Sequence, residues 1–263
     1  GEKVAFYSAI FFSVNGFLVA FSRIIQYQSF VIFFMICALY LFTLSIYEEK
    51  WKYVGVYLGF ISWVLSILAH YDGVFIFPMV VYLFFEWKKK YGLNRIEFFR
   101  VLPSGLIFII SLLAFYVPFV LTLSEATKSY WLGRLNGVGG GKVSSSIYLF
   151  RVYQPIYIIH IYTVLGVAGT VCSLINGKFC IKFLDLPTRN KILPFILWFL
   201  LPVIFMEAVV NIPGTHIFTY LIPVTVLMGL GVLFLERIYD RFLKQTFFTY
   251  AKYLCMFIIF LFI

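Results

Sequence analysis

Charge is scarce in this chain. Asp, Glu, Lys and Arg make up 12% of its 263 residues, against about a quarter in ordinary globular chains, and so few charges cannot cover a water-facing surface. A soluble domain is therefore excluded, in keeping with a hydrophobic content of 63% and a mean hydropathy of +0.98. Cysteine is also sparse. Cys37, Cys172, Cys180 and Cys255 show no CxxC spacing, so neither a disulfide framework nor a zinc site is indicated, and they read as small apolar packing residues. Alternation of polar and apolar residues is missing too, which excludes strands in lipid. A phosphate-binding loop is only mimicked by Gly137-Val138-Gly139-Gly140-Gly141-Lys142: Asn136 stands where the pattern needs Gly, and Val143 where it needs Ser or Thr. That stretch, with Ser144-Ser145-Ser146 after it, reads as a flexible loop able to close over a substrate. The start, Gly1-Glu2-Lys3, has neither an initiator Met nor a signal-peptide pattern, and the chain stops inside the apolar run Phe260-Leu261-Phe262-Ile263. The expectation is a piece of a longer membrane protein.

What is present is apolar sequence in long runs, with 33 Phe, 19 Tyr and 5 Trp. At about 20 residues per membrane span, the length accommodates eight or nine helices. Runs near 4–21, 29–47, 53–69, 74–87, 102–123, 155–175, 192–210 and 216–235, with a ninth beginning near 252, predict an all-α polytopic transmembrane bundle. It is read as one transmembrane domain over 1–263 with an outer loop at 124–154. The 74–87 run is short and contains Pro78, which predicts a tilted or partly re-entrant segment.

The 21 cations sort by side when the loops alternate. Only Arg23, Lys128, Arg134, Lys142 and Arg151 fall on one side; the rest, including Lys50, Lys52, Lys88, Lys89, Lys90, Arg95 and Arg100, fall on the other. The positive-inside rule puts the rich side in the cytoplasm, so most of the net +10 is a topology signal. A nucleic-acid partner is excluded with it, because Trp87-Lys88-Lys89-Lys90 reads as a helix end and a short loop, without a basic recognition module. Anionic lipid headgroups are the expected partner of those lysines.

The outer side has few charges, and these are the candidates for chemistry. His70 and Asp72 flank Tyr71 at the outer end of one span, where ionisable groups are costly unless they meet water, each other or a ligand. Asp72 is a candidate for a hydroxyl or a divalent cation and His70 for a phosphate oxygen; the plain alternative is an Asp-Gly turn whose carboxylate caps the next helix. Arg23 offers a fork of donors suited to phosphate, with Gln26, Tyr27 and Gln28 close behind it; its alternative is snorkelling to headgroups. Glu207 lies at the outer end of its span, followed by Asn211 and by Pro213-Gly214-Thr215-His216. His160 reads as a packed core histidine. Glu125 to Arg134 reads as a short interfacial helix with Tyr130 and Trp131 at headgroup level, where Arg134 adds an outer cation.

Several stretches together resemble a family. Ser22-Arg23, Gln26-Tyr27-Gln28-Ser29, Trp51-Lys52, the Gly59 span closing on Leu68-Ala69-His70-Tyr71-Asp72-Gly73 with Pro78 beyond, and Pro213-Gly214-Thr215-His216 leading to Tyr220, Pro223 and Gly229-Leu230-Gly231 resemble integral-membrane glycosyltransferases of the GT-C superfamily. The nearest branch is the protein-mannosyltransferase and aminoarabinose-transferase type, over roughly 5–235. The resemblance implies a prokaryotic plasma-membrane enzyme that moves a sugar from a polyprenyl-phosphate carrier to a protein, lipid or glycan acceptor on the extracytoplasmic face. It further implies a catalytic Asp in a first outer loop, for which this chain has no matching segment; Asp72 and Glu207 are the carboxylates at hand. Many relatives carry a Lys-Tyr pair where this chain has His70-Tyr71-Asp72. Arg23, Tyr27, His70, Asp72, Arg134 and His216 form the expected lipid-phosphate or substrate-binding set. No cofactor is implied, with a divalent cation left open. The competing reading is a transporter or flippase of lipid-linked sugars, which should show inverted repeats and paired broken helices; only the 74–87 irregularity is visible.

Overall fold

A computed structural model describes residues 1–23, 27–136, 159–174, 189–210, 216 and 218–242. The described residues are almost all helical and contain no strand. Among the described residues ten α-helices run in order: α1 (Glu2–Val14), α2 (Gly16–Ser22), α3 (Tyr27–Tyr47), α4 (Val54–Ala69), α5 (Phe77–Tyr91), α6 (Arg95–Leu121), α7 (Glu125–Asn136), α8 (Ile159–Leu174), α9 (Arg189–Ala208) and α10 (Phe218–Phe242). Short 3-10 turns cover Glu49–Trp51 and Tyr71–Ile76.

Four described helices are long and apolar enough to cross a membrane: α3, α6, most of α9 and most of α10. Helix α4 is apolar but shorter, at 16 residues. The expected eight or nine spans are thus represented by four of full length, and the ninth lies outside the described residues, as does the Gly137–Lys142 loop. The run expected at 4–21 is interrupted at Asn15, which adopts extended backbone at ψ 108. Its side-chain oxygen accepts a hydrogen bond from the Leu18 amide at 3.0 Å. A buried Asn that caps the next helix competes with the ladder of the preceding one, and hydropathy alone does not register that competition.

The chain divides into two compact units. The first comprises Gly1–Ala20, Val143–Met206 and Pro213–Ile263. In it α10 packs against α1 and α8, around Val4, Ile192, Ile196, Leu227, Leu230 and Leu233. The α8–α10 contact is made by backbone: a Cβ on Gly169 would run into the Leu227 carbonyl oxygen. Lys3 closes this unit polar-side, with its Nζ 2.6 Å from the buried Glu236, to which the Tyr7 hydroxyl also donates at 3.0 Å.

The second unit comprises Phe21–Lys142 and Glu207–Ile212. Helices α3 and α4 form its centre, flanked by α5 and α6. Small residues let α3 and α4 approach: a Cβ on Gly55 would lie 2.7 Å from the Leu41 carbonyl oxygen, and one on Gly59 2.8 Å from the Phe42 ring. The Ser66 hydroxyl ties the pair together by donating to the Val31 carbonyl at 3.1 Å. The short run expected at 74–87 is instead the 3-10 turn Tyr71–Ile76 followed by α5, with Pro78 in its first turn, where a missing N–H costs nothing. Helix α6 begins seven residues before the expected 102, because Asn94 caps it by accepting from the Glu97 amide at 2.9 Å.

Candidate functional site

Each end of the second unit gathers a distinct chemistry. At the end where α4 closes, Ala69 is the last helical residue and His70 turns to extended backbone. His70, rather than Asp72, caps the following turn: its Nδ1 accepts from the Asp72 amide at 3.3 Å. The same Nδ1 lies 3.2 Å from Asp72 Oδ2. One ring nitrogen thus faces a donor and an acceptor of a single residue. The two contacts make opposite demands on it: a bare Nδ1 accepts the amide, and an Nδ1–H donates to the carboxylate, so each form serves one of the two.

The turn is held rigidly. Gly73 donates its amide to the His70 carbonyl at 3.0 Å, and its own carbonyl accepts from Trp63 Nε1 at 2.8 Å. A Cβ at Gly73 would stand 2.5 Å from Ser66 Oγ and 2.7 Å from the Ile67 nitrogen, so only glycine lets the turn fold back on α4 this closely. Asp72 is consequently buried at 0% exposure, whereas the His70 side chain keeps 17%. A buried carboxylate is tolerated when a hydrogen-bonding or cationic partner meets it, and His70 is such a partner.

Aromatic rings surround the pair. Tyr27, the first residue of α3, stacks on His70 with ring centroids 3.9 Å apart and 12° between planes. Tyr71 lies 3.8 Å from His70 at 41° and meets Trp131 of α7 edge-on at 6.1 Å. Tyr71 and Trp131 are each 39% exposed. A helix is present where one was expected at 125–134, as α7, and Glu125 pairs with Lys128 at 2.6 Å on its exposed face.

Of the expected site residues, Tyr27, His70 and Asp72 therefore come together. Arg23 sits in the turn after α2, exposed, four residues before Tyr27. Arg134 lies on α7 and Glu207 on the last turn of α9, partly buried. His216 belongs to the first unit; it is buried, and its carbonyl accepts from the Thr219 hydroxyl at 2.8 Å. Gln26, Lys142, Arg151 and Asn211 lie outside the described residues, and the side chain of His160 does as well.

The opposite end holds a cluster that sequence reasoning missed. Lys52 Nζ donates to Glu97 Oε1 at 2.9 Å, and the Tyr53 hydroxyl lies 3.0 Å from both Glu97 oxygens. Arg100 Nη1 donates to that hydroxyl at 2.7 Å. The Lys52 ammonium also sits over the Tyr91 ring at 4.5 Å. Burial alone would lower the Lys52 pKa, but its hydrogen bonds to Glu97 and Tyr53 outweigh this and raise it above the ordinary 10.5. The signal was available: Asn94-x-x-Glu97 has the spacing of a helix-start box, which brings Glu97 into structure beside the Lys50–Lys52 loop.

His70 Nδ1 and Asp72 Oδ2 lie 3.2 Å apart, the separation of ligands that share an ion, but a cation there would take the Nδ1 lone pair that accepts the Asp72 amide. A hard cation there would need further oxygens, such as those of a phosphate. Set against models of known protein families, curated proteins and solved structures, the chain has no match.

Proposed function

We propose that the chain belongs to an integral-membrane glycosyltransferase that moves a sugar from a polyprenyl-phosphate carrier to a protein, lipid or glycan acceptor on the extracytoplasmic face. The observation that carries this reading is the His70–Asp72 pair, 3.2 Å apart, at the charge-poor end of an apolar helical unit. The GT-C resemblance of the surrounding motifs, from Arg23 to Gly73, supports it. So does the cation asymmetry, which assigns that end to the outside.

The chemistry fits the inventory. Departure of a lipid phosphate develops negative charge, which prearranged cations stabilise; Arg23 and His70 are the groups assigned to it in this reading. Asp72, fully buried, lies 3.2 Å from the His70 ring nitrogen and holds the ring, so it acts as a positioning residue. The acceptor hydroxyl needs a carboxylate within hydrogen-bond reach. Glu207 is the remaining carboxylate of the expected set, and the resemblance places the catalytic Asp in a segment with no counterpart here. Exposed apolar residues at the far end of α6 from Arg95, Leu113, Phe115, Val117, Val120 and Leu121, offer a path for the polyprenyl tail.

The test is release of radiolabelled sugar from a polyprenyl-phosphate sugar by the full-length protein in membranes. Transfer is expected, with a loss of about a hundredfold or more in the triple variant Arg23→Ala/His70→Ala/Asp72→Ala, the scale of removing charge-stabilising donors. An active triple variant would defeat the site, and absence of transfer to any acceptor would defeat the reading. A second reading, a flippase of lipid-linked sugars, is favoured by the break between α4 and α5 at Tyr71–Ile76, since transporters place ligands at interrupted helices. In the same vesicles it predicts movement of intact carrier between leaflets with no sugar released.

A further inference from the structure

The corner where α5 gives way to α6 concentrates exposed cations. Lys88 and Lys89 end α5, Arg95 opens α6 and Arg100 follows; all four are exposed. Other cations of this corner are consumed internally: Lys52 by Glu97, and Lys90 by the Ile46 carbonyl, to which its Nζ donates at 2.5 Å. Arg100 spends one donor on the Tyr53 hydroxyl, while Lys88, Lys89 and Arg95 form no ion pair among the described residues. Glu97, the acid nearest in sequence to Arg95 and Arg100, is already held by Lys52 and Tyr53.

Directly beside these cations the surface is apolar and also exposed. Phe85 is 60% exposed, Ile96 63% and Phe99 56%, and the Arg95 guanidinium lies 5.9 Å over the Phe99 ring. Of the 27 residues of α6, only Glu97, Val101 and Ser104 are buried, so the apolar face continues along the helix from the cationic corner. The complement of such a surface is one molecule with an anionic head and apolar tails.

We propose that the α5–α6 corner binds an anionic phospholipid, its phosphate held by Lys88, Lys89, Arg95 and Arg100 and its acyl chains laid along the exposed face of α6. A second copy is a poorer complement. A two-fold axis along the membrane normal would bring four further cations to the same level, and like charges in contact repel. The lipid, by contrast, satisfies head and tails together, and each juxtamembrane cation adds roughly fivefold to anionic-lipid affinity. The site stands independently of the sugar-transfer reading.

The experiment is native mass spectrometry of the full chain in detergent, titrated with phosphatidylglycerol or phosphatidylcholine of the same acyl chains. Phosphatidylglycerol is expected to add one molecule at a concentration at least about tenfold lower than phosphatidylcholine. The variant Lys88→Gln/Lys89→Gln/Arg95→Gln should abolish the difference, and Lys88→Arg/Lys89→Arg/Arg95→Lys should restore it, which separates charge from folding. Lys128→Gln, remote from the corner, should leave it unchanged. Equal binding of the two lipids overturns the proposal, as does preference retained by the Gln variant. Displacement by soluble glycerophosphoglycerol would also overturn it in favour of a headgroup-only anion site, and a lipid-free dimer in which α6 is protected from labelling would do so in favour of a second copy.

Discussion

At the residue scale, the two polar clusters of the second unit carry different costs. Lys52 and Glu97 keep side-chain exposures of only 18% and 11%, and removing one member leaves the other charged and poorly solvated. Lys52→Met should therefore destabilise the protein by roughly 3 kcal/mol in a denaturant titration in detergent, and Lys52→Met/Glu97→Leu should recover most of that loss. The pH dependence follows from the raised Lys52 pKa. A cation whose folded-state pKa exceeds its unfolded value binds its proton more tightly in the fold, so its contribution is complete below about 10.5 and fades as pH rises past the folded value. Thermal midpoints across pH 9 to 12 should fall only in the upper part of that range, and Lys52→Met should lack this component. The His70–Asp72 pairing was legible in the sequence because two ionisable residues two apart beside Gly73 share a turn. The direction of the capping was not, since either side chain has the chemistry to accept an amide and only packing decides which is turned inwards. Glu97 escaped notice for a related reason: among abundant cations a lone acid reads as part of a polar loop, until Asn94 is recognised as a helix start.

At the element scale, helix ends were less legible than helices. Asn15 divides one apolar run into α1 and α2, a break with no trace in hydropathy because the residues on both sides are apolar. Asn15→Ala removes the bond to the Leu18 amide and should cost about 1 kcal/mol of stability, the usual scale of a lost cap, read as a lower denaturation midpoint in detergent. The turn Tyr71–Ile76 depends on one missing side chain. Gly73→Ala places a methyl group against Ser66 and the Ile67 backbone, and the strain should cost about 1–3 kcal/mol. Trp63 should then lose its bond to the Gly73 carbonyl, and its emission should shift. Pro78 shows the opposite case, a residue read as an irregularity that proved to suit the first turn of α5. The long continuous runs needed no such detail: α3, α6, α9 and α10 were legible because sustained apolar sequence in lipid has only the helix as an outlet.

At the scale of the molecule, loop alternation predicts which ends share a side, and the second unit agrees with it. Lys52, Trp87, Lys90 and Glu97 meet at one end, while Tyr27, His70, Tyr71 and Trp131 meet at the other. Reporter fusions after Gly92 and after Leu123 should accordingly give opposite results: an alkaline phosphatase fused at Leu123 active, and one fused at Gly92 inactive. Active phosphatase at both positions would remove the orientation on which the outward site depends. The two-unit division was not legible, because the first unit joins Gly1–Ala20 to segments beyond Val143 and no hydropathy pattern encodes so distant a pairing. The Trp63 bond to the Gly73 carbonyl has a practical consequence. An indole fastened to the backbone of the very loop that buries Asp72 is a built-in optical gauge. With Trp51, Trp87, Trp131 and Trp198 replaced by phenylalanine, the wavelength and lifetime of its light would register occupancy of that loop in real time, without a label or a turnover assay.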